Sequence, residues 1–155
     1  MDWLIDLLTN HFLLVSLSSW FVAQVLKTIL YAVETKKLDI NRLFGDGGMP
    51  SGHSATVTSL ATFSGLTFGF GSFQFAATAI LAIIVCHDAM GVRLETGKQT
   101  AIINELIEAF ELLAPDKISE ANLKEFVGHT PIQVTAGILL GIVNAVVLFF
   151  CFFNQ

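Results

Sequence analysis

Apolar residues along the chain fall into four long runs separated by two polar stretches and one tight turn. The runs are His11–Val33, Ser54–Phe70, Ser72–Met90 and Pro131–Phe153, the first interrupted by Gln24 and Lys27. About 20 helical residues cross the hydrocarbon core of a bilayer, so the first and last runs are comfortable spans. The second is short and rich in Ser, Thr, Ala and Gly, a composition that suits close helix contact better than lipid contact. Gly69-Phe70-Gly71-Ser72 reads as the turn joining the second and third runs. Ahead of the first run, Met1–Thr9 predicts a short interfacial helix with Trp3 near the headgroups.

Between the third and fourth runs lies the polar stretch Gly91–Thr130, whose insert proper is 94–128. Ile102, Ile103, Leu106, Ile107, Phe110 and Leu113 recur at helical spacing opposite Glu105, Glu108 and Glu111. That pattern predicts an amphipathic helix on the membrane surface or against the bundle, ended by Ala114-Pro115-Asp116. A second short helix is expected from Ser119 to Val127, stopped by Gly128, and Thr130-Pro131 reads as cap and first position of the last span. The expected fold is therefore all-α: one membrane-embedded domain over residues 1–155, about four transmembrane helices and an amphipathic insert.

Composition agrees. Of 155 residues only 14% are charged and 54% hydrophobic, and the mean hydropathy is +0.70; a soluble domain carries roughly a quarter charged residues. A basic stripe with interleaved aromatics is missing, which argues against nucleic acid as a partner. Cys86 and Cys151 sit in apolar runs without CxxC spacing, so two buried thiols are expected and neither a disulfide nor a metal site. The N-terminus offers no basic region or cleavage site of the kind a removable signal peptide carries. Lys36, Lys37, Arg42, Arg93, Lys98, Lys117 and Lys124 fall in the two polar stretches, which two spans place on one side of the membrane, and Lys27 lies near the end of the span leading there. The opposite side has no Lys or Arg, so the positive-inside rule predicts that the charged face is cytoplasmic.

That face also gathers the candidate chemistry. Ser51, in Gly47-Gly48-Met49-Pro50-Ser51-Gly52-His53-Ser54, is placed to cap the second helix, whose free N–H groups would favour an anion, phosphate above all. Lys27, Arg42, His53, His87, Asp88, Arg93 and His129 lie at the same depth. Singly, each admits an ordinary role as a snorkelling lysine, a solvated loop charge or an interfacial histidine. Jointly they fit phosphoryl transfer through a phosphohistidine. Cations neutralise the equatorial oxygens, one neutral imidazole attacks phosphorus, and the other protonates the leaving alkoxide and then activates water. The attacking ring needs its far nitrogen held, and residue i+4 from His129 is Gln133.

Gly48-Met49-Pro50-Ser51-Gly52-His53 is similar to the central motif of the type 2 phosphatidic acid phosphatase family, relatives of the vanadium haloperoxidases. Val92-Arg93 and His129-Thr130-Pro131-Ile132-Gln133-Val134 resemble the two halves of that family's third motif, Ser-Arg and His-x-x-x-Asp-Val, here separated by 35 residues. With Asp88-Ala89-Met90-Gly91-Val92-Arg93 and Gly128-His129-Thr130-Pro131, the pattern looks like a small divergent branch, the likeness covering roughly residues 12 to 142. The resemblance implies an integral-membrane phosphatase acting on a phosphomonoester or diphosphate of a lipid, without metal or other cofactor. It implies His129 as nucleophile, His53 as general acid and base, and Lys27, Arg42, Ser51, Gly52 and Arg93 as phosphate ligands.

The chain departs from the family pattern in three places. In the first motif, five residues separate Lys36 from Arg42 and Leu43 stands where Pro is usual; Lys27 is preferred for its depth, with Lys36 the alternative. Val92 replaces the Ser before Arg93, and Gln133 replaces the orienting Asp. Glutamine can hold a tautomer but cannot stabilise a developing imidazolium, so either Asp88 or Glu125 supplies that charge or turnover is modest. The alternative reading is a non-catalytic membrane protein that binds phosphorylated lipid or scaffolds partners. A homo-oligomer is compatible with the pattern.

Overall fold

The computed structural model describes residues 2–37, 48–113 and 129–153. Among these residues six α-helices follow one another: α1 (Asp2–Leu8), α2 (His11–Thr35), α3 (Gly52–Phe68), α4 (Phe73–Met90), α5 (Val92–Leu113) and α6 (Pro131–Leu148). A π-helical turn, Phe149–Phe153, extends α6. No strand occurs among the described residues, and the all-α membrane bundle expected from the apolar runs is what forms. Among the described residues, three helices are long and apolar enough to cross a bilayer: α2, α4 and α6 as far as Phe152.

The remaining helix of the bundle, α3, has 17 residues and so is only about 25 Å long, short of the roughly 30 Å hydrocarbon core. It packs against α2, α4 and α6, which explains its composition. Gly137 of α6 meets Ser51 and Ser54, and Gly141 meets the backbone of Ala55 and Ser59. A Cβ at Gly137 would lie 2.5 Å from the Ser51 carbonyl oxygen, and one at Gly141 2.5 Å from that of Ala55. Glycine at both positions is what lets the helices touch, since van der Waals contact takes over where lipid removes most of the hydrophobic drive. Asn144 of α6 adds a polar tie to α2, its amide donating to Ser18 Oγ at 2.9 Å and Ser19 Oγ at 2.7 Å.

Local signals set the ends. Asn10 caps α2, Ser72 caps α4, and Thr130 caps α6 with Pro131 in its first turn. α5 follows α4 after Gly91 alone and packs mainly on α4, while Ile102, Ile103 and Leu106 stay exposed. The short helix expected over Ser119–Val127 lies outside the described residues. One expectation is corrected. Cys86 is buried but Cys151 is exposed, because an apolar context in a membrane helix marks lipid-facing positions as readily as interior ones.

Candidate active site

The last turns of α2 and α4 and the first turns of α3 and α6 meet at one end of the bundle. Two backbone bonds stitch them together. His129 N–H donates to the Ala89 carbonyl of α4 at 3.2 Å, and Ser51 N–H donates to the Gln133 carbonyl of α6 at 3.0 Å. The second bond depends on the bare Cα of Gly137 beneath it. Two helix N-termini therefore point into the same space, each with a partial positive charge.

Ser51 caps α3, as its position after Pro50 suggests. Its hydroxyl oxygen accepts from Ser54 N–H at 3.3 Å and from the Ser54 hydroxyl at 3.0 Å, and the residue is fully buried. The Met49–Pro50 peptide is cis, and Gly48 has φ +80°, a left-handed conformation that glycine adopts without a Cβ penalty. Gly48 also makes room for a neighbour. A Cβ there would stand 3.1 Å from Lys27 Cγ and 3.3 Å from Cδ, so the lysine stem lies along the motif loop. Gly52 rests in the same way on Trp20, with its built Cβ 3.4 Å from Cδ1.

The two histidine rings, 76 residues apart in sequence (129 − 53), have centroids 6.2 Å apart and planes inclined at 57°. The two imidazoles, distant in the chain, are thus neighbours at one end of the bundle. His129 is buried while His53 is exposed. His129 Nδ1 lies 3.3 Å from Gln133 Oε1, and the same oxygen accepts from Thr130 N–H at 3.0 Å, within a capping box that Gln133 N–H completes by donating to Thr130 Oγ1 at 3.4 Å. This fixes the tautomer. A backbone N–H can only donate, so the Gln133 atom facing it is the carbonyl oxygen. An oxygen acceptor facing Nδ1 favours the tautomer protonated at Nδ1.

Beside the histidines, Lys27, Tyr31, Glu34, Gly48, Met49 and Gln133 line a groove of about 490 Å³. Lys27 is 5% exposed, whereas Lys36 is exposed and ends α2 with φ +55°. Of the two candidate lysines, Lys27 is the one in the groove. Asp88, half-buried, precedes Ala89, whose carbonyl holds His129, and His87 is exposed on the same turn. Arg93 lies in the first turn of α5, but its side chain, Arg42 and Glu125 are outside the described residues. Tyr31 and Glu34 were not singled out from sequence; their spacing of four and seven from Lys27 was the available signal.

Two apolar grooves flank this region. One, about 400 Å³, runs between α2 and α6 and shares Leu30 and Met49 with the Lys27 groove. The other, about 420 Å³, is lined by Leu17, Trp20, His53, Thr56, Val57 and Val85.

Residues 8–144 match the Divergent PAP2 family. The chain is 41% identical over 156 residues to the uncharacterized membrane protein YuiD of Bacillus subtilis (strain 168), covering 95% of this chain and 99% of that relative. No solved structure matches.

Proposed function

The chain belongs to the Divergent PAP2 family, and on that premise we propose that it is a membrane phosphatase hydrolysing a phosphomonoester or diphosphate of a lipid. The observation that carries this reading is the pair of histidine rings 6.2 Å apart, one with its Nδ1 at the amide oxygen of Gln133, a residue that also lines the groove of the buried Lys27.

In the proposed reaction, His129 Nε2 attacks phosphorus in line with the ester oxygen, forming the P–N bond as the P–O bond breaks. His53, protonated, gives its proton to the leaving alkoxide. Neutral His53 then takes a proton from water, whose oxygen attacks phosphorus and releases orthophosphate and neutral His129. Lys27 and the α3 N-terminus, with the Arg42 and Arg93 side chains as proposed further ligands, neutralise the equatorial oxygens. Gln133 Oε1 holds Nδ1–H throughout. The flanking apolar grooves support a lipid substrate, because a chain attached to the phosphate would find an apolar seat next to either histidine or lysine.

The decisive assay uses the full chain in lipid nanodiscs against phosphatidate, phosphatidylglycerophosphate and polyprenyl diphosphate. Orthophosphate release that disappears in His129→Ala, with an acid-labile phosphoprotein trapped in the wild type, is the expected result. Tight lipid binding without turnover would instead favour a non-catalytic lipid-binding protein, a reading supported by the uncharged Gln133 in the orienting position. The excess of Lys and Arg on the site's side supports a cytoplasmic active face, and reporter fusions placing residues 94–128 outside the cell would overturn that orientation.

A further inference from the structure

We propose that Gln24 is a further phosphate-contacting residue, its side-chain amide hydrogen-bonding a non-bridging oxygen of the bound phosphate. The proposal rests on the phosphate-binding reading of the site. On α2, Trp20 lies against Gly52 and Lys27 against Gly48. Gln24 follows the first by four residues and precedes the second by three, so it occupies the same helix face. That puts it on the side of α2 along which the motif loop runs, between the residues that meet the loop's two ends.

Gln24 is 5% exposed, and its Oε1 is the one buried side-chain oxygen or nitrogen without a hydrogen-bond partner among the described residues. Elsewhere in the bundle, buried polar groups are matched, as Asn144 is by Ser18 and Ser19. A buried amide left unmatched is unfavourable, and such a group calls for a specific explanation. A ligand supplies one. An amide suits an oxygen that changes protonation: it accepts from the P–OH of a monoanion, and after a half-turn it donates from Nε2 to an ionised P–O⁻. Lysine and guanidinium groups cannot accept, so Gln24 would complement the cations and not duplicate them.

The test measures orthophosphate binding by calorimetry, thermal stability and lipid-phosphate turnover for the full chain in nanodiscs. Gln24→Met keeps the bulk and removes hydrogen bonding. Its expected signature is an unliganded Tm equal to or above wild type, with orthophosphate Kd raised about tenfold or more. Gln24→Glu sets a carboxylate against the anion and is expected to weaken binding further; it serves if the Met variant does not fold. Asn144→Leu, which removes a matched amide far from the loop, is expected to lower Tm and leave Kd unchanged. Wild-type Kd in both Gln24 variants, with wild-type turnover intact and abolished by His129→Ala, would overturn the Gln24 assignment alone. A wild-type protein that neither binds orthophosphate nor releases it would remove the phosphatase reading and Gln24's role together.

Discussion

The two ends of α3 are packed by different means. At its N-terminus, small residues and backbone bonds hold the loop to α6 and α2: Ser51 on Gln133, Gly137 beneath Ser51, Gly48 on Lys27. At its C-terminus the contacts are aromatic. Phe12 meets Phe63 edge-on at 5.1 Å and stacks on Phe68 at 5.3 Å, Phe63 meets Phe149 at 5.9 Å, and Phe70 meets Phe75 at 5.1 Å. Rings at the second end fill volume, and modest adjustment of one ring costs little chemistry. At the first end a fraction of an ångström moves the polar groups that, in the proposed reaction, share one phosphate. The helix thus separates a part that sustains the fold from a part that must hold its geometry.

Substitutions at the two ends should therefore fail differently. His129→Ala should lower turnover by about 10⁴-fold or more, the scale on which loss of a nucleophile acts, while the melting temperature in nanodiscs stays near wild type. Gly137→Ala, which sets a methyl group 2.5 Å from the Ser51 carbonyl, should cost roughly 10²-fold in kcat, since displacement of about 1 Å is enough for that. Normal kcat in that variant would show that the loop tolerates separation from α6. Phe63→Ala should do the reverse. It is expected to destabilise by on the order of 2 kcal/mol, chiefly through the cavity left behind, with turnover per folded molecule unchanged. A drop in kcat there would erase the distinction between the ends. The smallest effect is expected of Gln133→Glu. Glutamate keeps the capping box and adds the charge an imidazolium lacks here, so kcat should rise by about tenfold, the equivalent of about 1.4 kcal/mol. An unchanged rate would mean that another carboxylate already serves His129.

What could be read from the sequence was local. Span positions follow from apolar run length, and the caps at Ser51 and Thr130 follow from residue type next to a run. The pairing of His129 with Gln133 follows from helical spacing, and their distance agrees with it. What could not be read was pairwise and distant. Gly137 and Gly141 looked like ordinary small residues in a span; only the neighbouring carbonyls of Ser51 and Ala55 reveal why no Cβ fits. Gln24 registered merely as a polar interruption, because burial without a partner is a property of three dimensions. Cys151 was misplaced because hydropathy does not distinguish a helix face turned to lipid from one turned inward.

The hydrogen bond from Ser51 to Gln133 joins positions 82 residues apart (133 − 51). During biosynthesis α2, α3 and α4 enter the bilayer before α6 emerges from the ribosome. Until α6 docks, the motif loop lacks its anchor and His129 has not reached the Ala89 carbonyl, so the proposed site can assemble only after this helix has joined the other three.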